Sequence, residues 1–153
     1  MRRVANVGLV ALVAVGLITS CSSTSPPPVP TPLGVCGLVP NMDDLVGKAA
    51  VDQPGGFTLN DVDTCIWTYA LNPSRSVDLS VAAIAAHQAA IDELGDGEQV
   101  PSVGDDARWW SGNRLLSVAL DDRAVQVSLK LDDVDSTKDL AVRIAQAAIA
   151  NLN

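Results

Sequence analysis

The chain has 153 residues, 48% of them hydrophobic but only five aromatic, and a formal net charge of -8 from 10 basic and 18 acidic side chains. Setting aside a leader and a linker leaves roughly 115 residues, enough for one ordinary domain with its own core. Arg2 and Arg3 fall in the leader, so the remainder carries -10, a balance that repels nucleic acid and gains nothing from anionic lipid headgroups.

Arg2 and Arg3 open a short basic start, and Val7 to Ile18 follows as an unbroken apolar run of twelve residues. As a helix this run spans about 18 Å, well short of the roughly 30 Å of a bilayer's hydrocarbon. It therefore reads as the core of a signal peptide over residues 1–20, not as a permanent span. Ile18-Thr19-Ser20-Cys21 comes next and resembles a bacterial lipobox, with Ile18 where Leu is usual. The resemblance implies that Cys21 gains a diacylglyceryl thioether, becomes the first mature residue and is N-acylated. The protein is then lipid-anchored to the cell membrane and faces outside the cytoplasm. Residues 21–35 form a Pro/Ser/Thr-rich linker that cannot bury apolar surface. Thirteen residues in extended, partly polyproline II form reach up to roughly 40 Å. Thr24 and Thr31 within it are candidate glycosylation sites by composition.

Three cysteines in an exported protein leave one thiol over. Assigning Cys21 to lipid leaves Cys36 and Cys65, which can pair in an oxidising compartment or stay as two buried free thiols.

Residues 36–153 form the globular domain. Asn41 is placed to cap a short helix over 42–50, with Asp43 and Asp44 at its positive end. Gln53 to Gly56 reads as a turn. Thr64 to Leu71 alternates, with Cys65, Trp67, Tyr69 and Leu71 on one face, and Val77, Leu79 and Val81 alternate after the turn at 72–75. A helix over 82–94 carries Ile84, His87, Ile91 and Leu94 on its apolar stripe. Residues 95–101 read as a loop. Gly112-Asn113 predicts a two-residue type II′ hairpin that sets Trp110 opposite Leu115, Trp109 opposite Leu116 and Ala107 opposite Val118. A turn over 121–124 pairs Leu120 with Val125, Val118 with Val127 and Leu116 with Leu129. Both hairpins then put Trp109, Leu116, Val118, Val127 and Leu129 on one buried face. Ser136 to Asp139 reads as a capping box opening a last helix to about Leu152. The whole predicts an α+β domain, an antiparallel sheet of about five strands packed with helices.

Cys36-Gly-Leu-Val39, Cys65-Ile-Trp67, Val103-Gly-Asp-Asp-Ala107 and the alanine-rich terminal helix resemble the actinobacterial lipoprotein family called domain of unknown function 3558, over most of the domain. The resemblance implies an envelope lipoprotein with Cys36 and Cys65 paired. It also implies a sandwich similar to Mog1/PsbP-like domains and mycobacterial kinase sensor domains. It brings no catalytic residues.

His87 is the only histidine, so multi-His and Cys/His metal sites are excluded, and a Ser-His-Asp arrangement would have to use it. Its place on an apolar stripe reads as a covered helix histidine. Asp132, Asp133, Asp135 and Asp139 suggest calcium, but Lys138 and Ile144 stand where an EF-type loop starting at Asp133 needs Gly and Glu. Asp105 and Asp106, before a strand, read as turn acids bonding nearby backbone N–H groups. Trp110 with Leu115, on the face away from Trp109, is the candidate partner surface, the alternative being that a helix covers this face too, as in a three-layer sandwich. No cofactor or metal is expected. The leading functional reading is a non-catalytic envelope lipoprotein that binds a protein or an envelope component. The second is a carrier or sensor of a small amphiphile, held in an apolar pocket beneath Trp109. An enzyme is the least favoured reading.

Overall fold

Valine and leucine alternating with polar residues build the centre of the domain. In the computed structural model, which describes residues 34–132 and 135–152, this pattern forms a seven-stranded, wholly antiparallel sheet. A 3-10 turn, Gly34–Leu38, and helix α1, Met42–Val46, lead into strands β1 (Gly55–Leu59), β2 (Val62–Leu71) and β3 (Ser74–Ala83). Helix α2 (Ala85–Leu94) follows, then β4 (Glu98–Gln99), β5 (Asp106–Trp110), β6 (Leu115–Ala119), β7 (Arg123–Lys130) and helix α3 (Lys138–Ala150). The strand order is β1-β2-β3-β7-β6-β5-β4. The class is α+β as the pattern predicts, with two strands more. β1 escapes the alternation rule because its residues are exposed on both faces. β4 is two residues long.

One face of the sheet carries the core. Val77, Leu79, Val125, Val127, Leu116 and Val118 are fully buried there, with Ile144, Ala145 and Ala148 of α3. The alanines of α3 remove the side-chain bulk that would hold helix and sheet apart. Asn151 at the end of α3 donates to the Leu38 carbonyl at 3.0 Å, and Arg143 to that of Leu45 at 3.3 Å. These bonds draw the 3-10 turn and α1 onto the same layer. Cys36 and Cys65 are joined in a disulfide that fastens the 3-10 turn to β2. On the opposite face, α2 lies over β3, β6 and β7.

The expected β5–β6 pairs form: Trp110 opposite Leu115, Trp109 opposite Leu116 and Ala107 opposite Val118. The turn differs. Gly112 does not take a positive φ; Arg114 does, at +51°, closing a four-residue loop with its N–H donating to Ser111. The β6–β7 ladder is shifted by two residues from expectation, with Val118 opposite Val125 and Leu116 opposite Val127. The cause is a tighter turn over Asp121-Asp122, closed by Leu120 N–H on Arg123 O at 2.9 Å. A two-residue shift keeps every side chain on its face, so the buried set survives.

Three boundaries move. β3 runs to Ala83, so α2 starts at Ala85 and Ile84 stays 39% exposed. Leu71 leaves the face of Trp67 because the pairing slips between Thr68 and Ala70, and it becomes exposed. The α3 cap is Thr137, whose hydroxyl accepts from Leu140 N–H at 3.2 Å, not Ser136; Asn41 makes no side-chain cap on α1.

The disulfide closes a separation of 29 residues. On the chain-entropy model that stabilises by roughly 3 to 4 kcal/mol. Replacing both Cys36 and Cys65 by Ser is expected to lower unfolding free energy by about that much in urea titration. An unchanged midpoint would count against the brace.

Candidate functional site

Trp110 points away from the core, as the hairpin pattern requires, but it is not exposed. Its accessibility is 6%, and its indole N–H donates to the Gly95 carbonyl at 2.8 Å. The connection from α2 to β4 folds over the ring. A Cβ at Gly97 would meet the indole at 2.8 Å, and Gly97 sits at φ +66°. Only glycine combines that backbone with that approach. Leu115 is half-buried beside it. Of the two readings the sequence left for Trp110 and Leu115, an open patch or a covered face, the covered one holds: a loop that reads only as Gly- and Asp-rich supplies a lid one ring wide, next to α2.

Beneath α2 the same face holds a polar cluster. His87 is 5% exposed and Ser117 has no accessible surface. The ring Nδ1 lies 3.0 Å from Ser117 Oγ and Nε2 lies 3.2 Å from Asp106 Oδ2. Arg108 Nε donates to both Asp106 oxygens, at 3.0 and 3.1 Å. Gln126 donates to Ser117 Oγ and to the Ala86 carbonyl, each at 3.3 Å. Burial alone would raise the Asp106 pKa; hydrogen bonds from Arg108 and His87, with their charges, override it and hold the carboxyl below the usual carboxylate range.

Serine, histidine and aspartate thus meet, with the histidine in the middle. The residue types are those of acyl-transfer enzymes. The surroundings are not: a nucleophile must reach its substrate, and Ser117 is sealed between α2 and the sheet, its oxygen shared by two partners. The cluster instead satisfies buried polar groups and pins α2 to β5, β6 and β7. The sequence placed His87 on the covered side of the helix correctly. It assigned Asp106 to backbone N–H groups, whereas its carboxylate faces Arg108 and His87. Ser117 carried no signal, because a lone serine in an alternating strand reads as an outward residue.

Trp109 joins the core and is 5% exposed, packed in one cluster with Leu116, Val118 and α3. The larger clefts of the described residues open elsewhere on the surface. One, of about 560 Å³, lies beside α1 with Trp67 at its wall. Another, of about 480 Å³, lies between the β2–β3 and β5–β6 turns. Neither lies beneath Trp109. Among the acids considered for calcium, Asp132 pairs with Arg75 and Asp135 with Lys48. Asp133 lies outside the described residues, and no metal-holding group of His, Cys, Asp or Glu occurs among those described. Cys21 also lies outside them. No described helix is long and apolar enough to cross a membrane.

Trp110→Ala is expected to destabilise the domain by about 3 to 5 kcal/mol, as for other buried Trp truncations. Thermal denaturation checks it, and a melting temperature within a degree of the parent would contradict the lid. Asp106 has a depressed folded pKa, so its stabilisation is complete above the ordinary carboxylate range and is lost as pH falls through the folded value. Asp106→Asn is expected to flatten the acid limb of a stability-against-pH curve; an unaltered acid limb would refute that. Comparison of the chain with protein-family models, with curated proteins and with solved structures finds no match in any of the three.

Proposed function

We propose that the protein is an envelope lipoprotein, held at the outer face of a bacterial cell membrane by acyl chains on Cys21, whose domain binds rather than catalyses. The observation that carries this reading is the use of the cysteines. The chain has three, and Cys36 and Cys65 are bonded to each other. That leaves Cys21 as the odd thiol, directly after a leader-like apolar run and a small residue. A disulfide also fits an oxidising compartment outside the cytoplasm. The short similarities to the domain of unknown function 3558 lipoproteins, and the sandwich they imply, agree with this reading.

Two or three acyl chains anchor firmly where one is marginal. The linker then lets the domain stand up to roughly 40 Å from the bilayer. Binding without catalysis is supported by the sealed position of Ser117 and His87, the pair an acyl-transfer mechanism would need to expose.

Mass spectrometry of the N-terminal peptide from membranes is expected to show acylated Cys21 as residue one. Cys21→Ala is expected to abolish the acyl mass and the membrane association. An acyl mass retained in that variant, or unmodified Cys21 behind an intact leader in the parent, would defeat the assignment.

A further inference from the structure

β1 is paired along one side only, and the alternation of the ladders shows which of its backbone groups are left over. Leu129 N–H donates to Arg114 O, so the odd residues of β7 turn their backbone towards β6 and the even ones towards β3. Carried through the Ser128–Asp78, Leu79–Cys65 and Thr64–Phe57 pairs, this alternation turns Gly55, Phe57 and Leu59 towards β2. Val51 N–H on Thr68 O, at 2.7 Å, agrees, since it sets the even residues of β2 facing the β1 side. The N–H and C=O groups of Gly56 and Thr58 therefore point out of the sheet. Phe57 and Leu59 stand exposed on the face that carries α2, in line with Thr64 and Val62 of β2.

This edge fits its own copy. A dyad normal to the sheet keeps every side chain on its face, so one residue must meet itself across the axis. Only Phe57 at the centre lets all five residues of β1 pair. In that register Gly56 of one copy exchanges both N–H···O bonds with Thr58 of the other, and these are the residues whose backbone points outwards. Each Leu59 falls over Gly55 of the second copy, where a Cβ would have nothing within 4 Å. Behind that glycine lies Ile66 of the same copy, so the apolar row continues across the join. The two Phe57 rings meet at the axis as a non-hydrogen-bonded pair, the closer kind. Charge selects the same register. Two chains of net -8 repel, and Gly55–Leu59 carries no charge. Past the strand ends the register sets Asp61 against Gln53, not against an acid.

We infer that β1 is a self-association surface, pairing antiparallel with β1 of a second copy about Phe57. The start of the described chain agrees with it. Gly34 lies beside Gly56 and Thr58, in the 3-10 turn that the disulfide fastens to β2. Because the dyad preserves faces, Gly34 of both copies lies on one side of the joined sheet, close to the axis. Two chains tethered through their N-termini to one membrane can pair in this way. A single five-residue edge is about 17 Å long and buries less than the roughly 800 Å² per partner of a standard interface. Pairing is therefore weak in dilute solution and favoured where a tether raises local concentration. The tether rests on the envelope reading above; the register does not.

The test uses the full-length lipidated protein in phosphatidylcholine vesicles, with single cysteines placed on β1, a mild oxidant and non-reducing electrophoresis. Phe57→Cys is expected to link to itself, since the Cα atoms of a non-hydrogen-bonded pair stand about 4.5 Å apart, within disulfide reach. Leu59→Cys, on the same face, lies roughly 14 Å from its own copy. It is expected not to link to itself, yet to link to Gly55→Cys when the two are mixed. Thr58→Pro, added to Phe57→Cys, removes an outward N–H and spares the ladder to β2. It is expected to cut the linked fraction at least ten-fold with the melting temperature kept. Leu59→Glu, at a site already in water, is expected to do the same by setting a carboxylate beside the paired rings. Absence of Phe57→Cys self-linking, or equal self-linking of Leu59→Cys, overturns the pairing. So does a linked fraction indifferent to both Thr58→Pro and Leu59→Glu. Register-specific linking in a protein whose Cys21 proves unacylated overturns the tether and leaves the edge pairing standing.

Discussion

The pairing of β3 with β7 is the constraint on which the rest of the molecule depends. It joins two strands that lie far apart in sequence, over eight residue pairs from Ser76–Lys130 to Ala83–Arg123. Within it Val77 meets Leu129, Leu79 meets Val127 and Val81 meets Val125. Such a contact must overcome the entropy of closing a long loop before any of its burial is gained. Once made, it fuses two local hairpin systems, β1-β2-β3 and β4-β5-β6-β7, into one sheet. It also fixes which side of each system faces α3. The polar cluster beneath α2 arises at a place that only this ladder brings together.

What the sequence made legible follows from the same physics. Period-two alternation is a local signal, and it identified the buried faces of β2, β3, β6 and β7. Trp109, Leu116, Val118, Val127 and Leu129 are all buried together. The turn type and the length of the β6–β7 turn were misread, yet the faces stayed right, since an even shift in pairing exchanges no side chain across the sheet. β1 was illegible because an edge strand exposed on both sides has nothing to alternate. Trp110 was left between two readings for a different reason. Its direction was readable, but its cover is a loop, and loops leave no periodic trace.

The two faces of the sheet are held by different forces. The α3 side has an apolar interior closed by small residues on the helix, with polar bonds only at its margin. The α2 side relies on directional bonds, from His87, Gln126 and the Trp110 indole. Apolar packing tolerates small slides, whereas a bonded cluster fixes a helix in one seat. The seat of α2 in turn sets Gly95 to Gly97, which follow it directly, over Trp110 of β5.

The two ends of the sheet are unequal. At one margin β4 is only two residues long and offers almost no backbone to a neighbour. At the other, β1 is five residues long, without charge or proline, and Phe57 and Leu59 are 49% and 63% exposed. Natural sheets usually blunt such a border. Among the described residues only β1 offers such a rim, so lateral joining of sheets through it would use up the rim of both participants. Growth by that route would then halt at a pair.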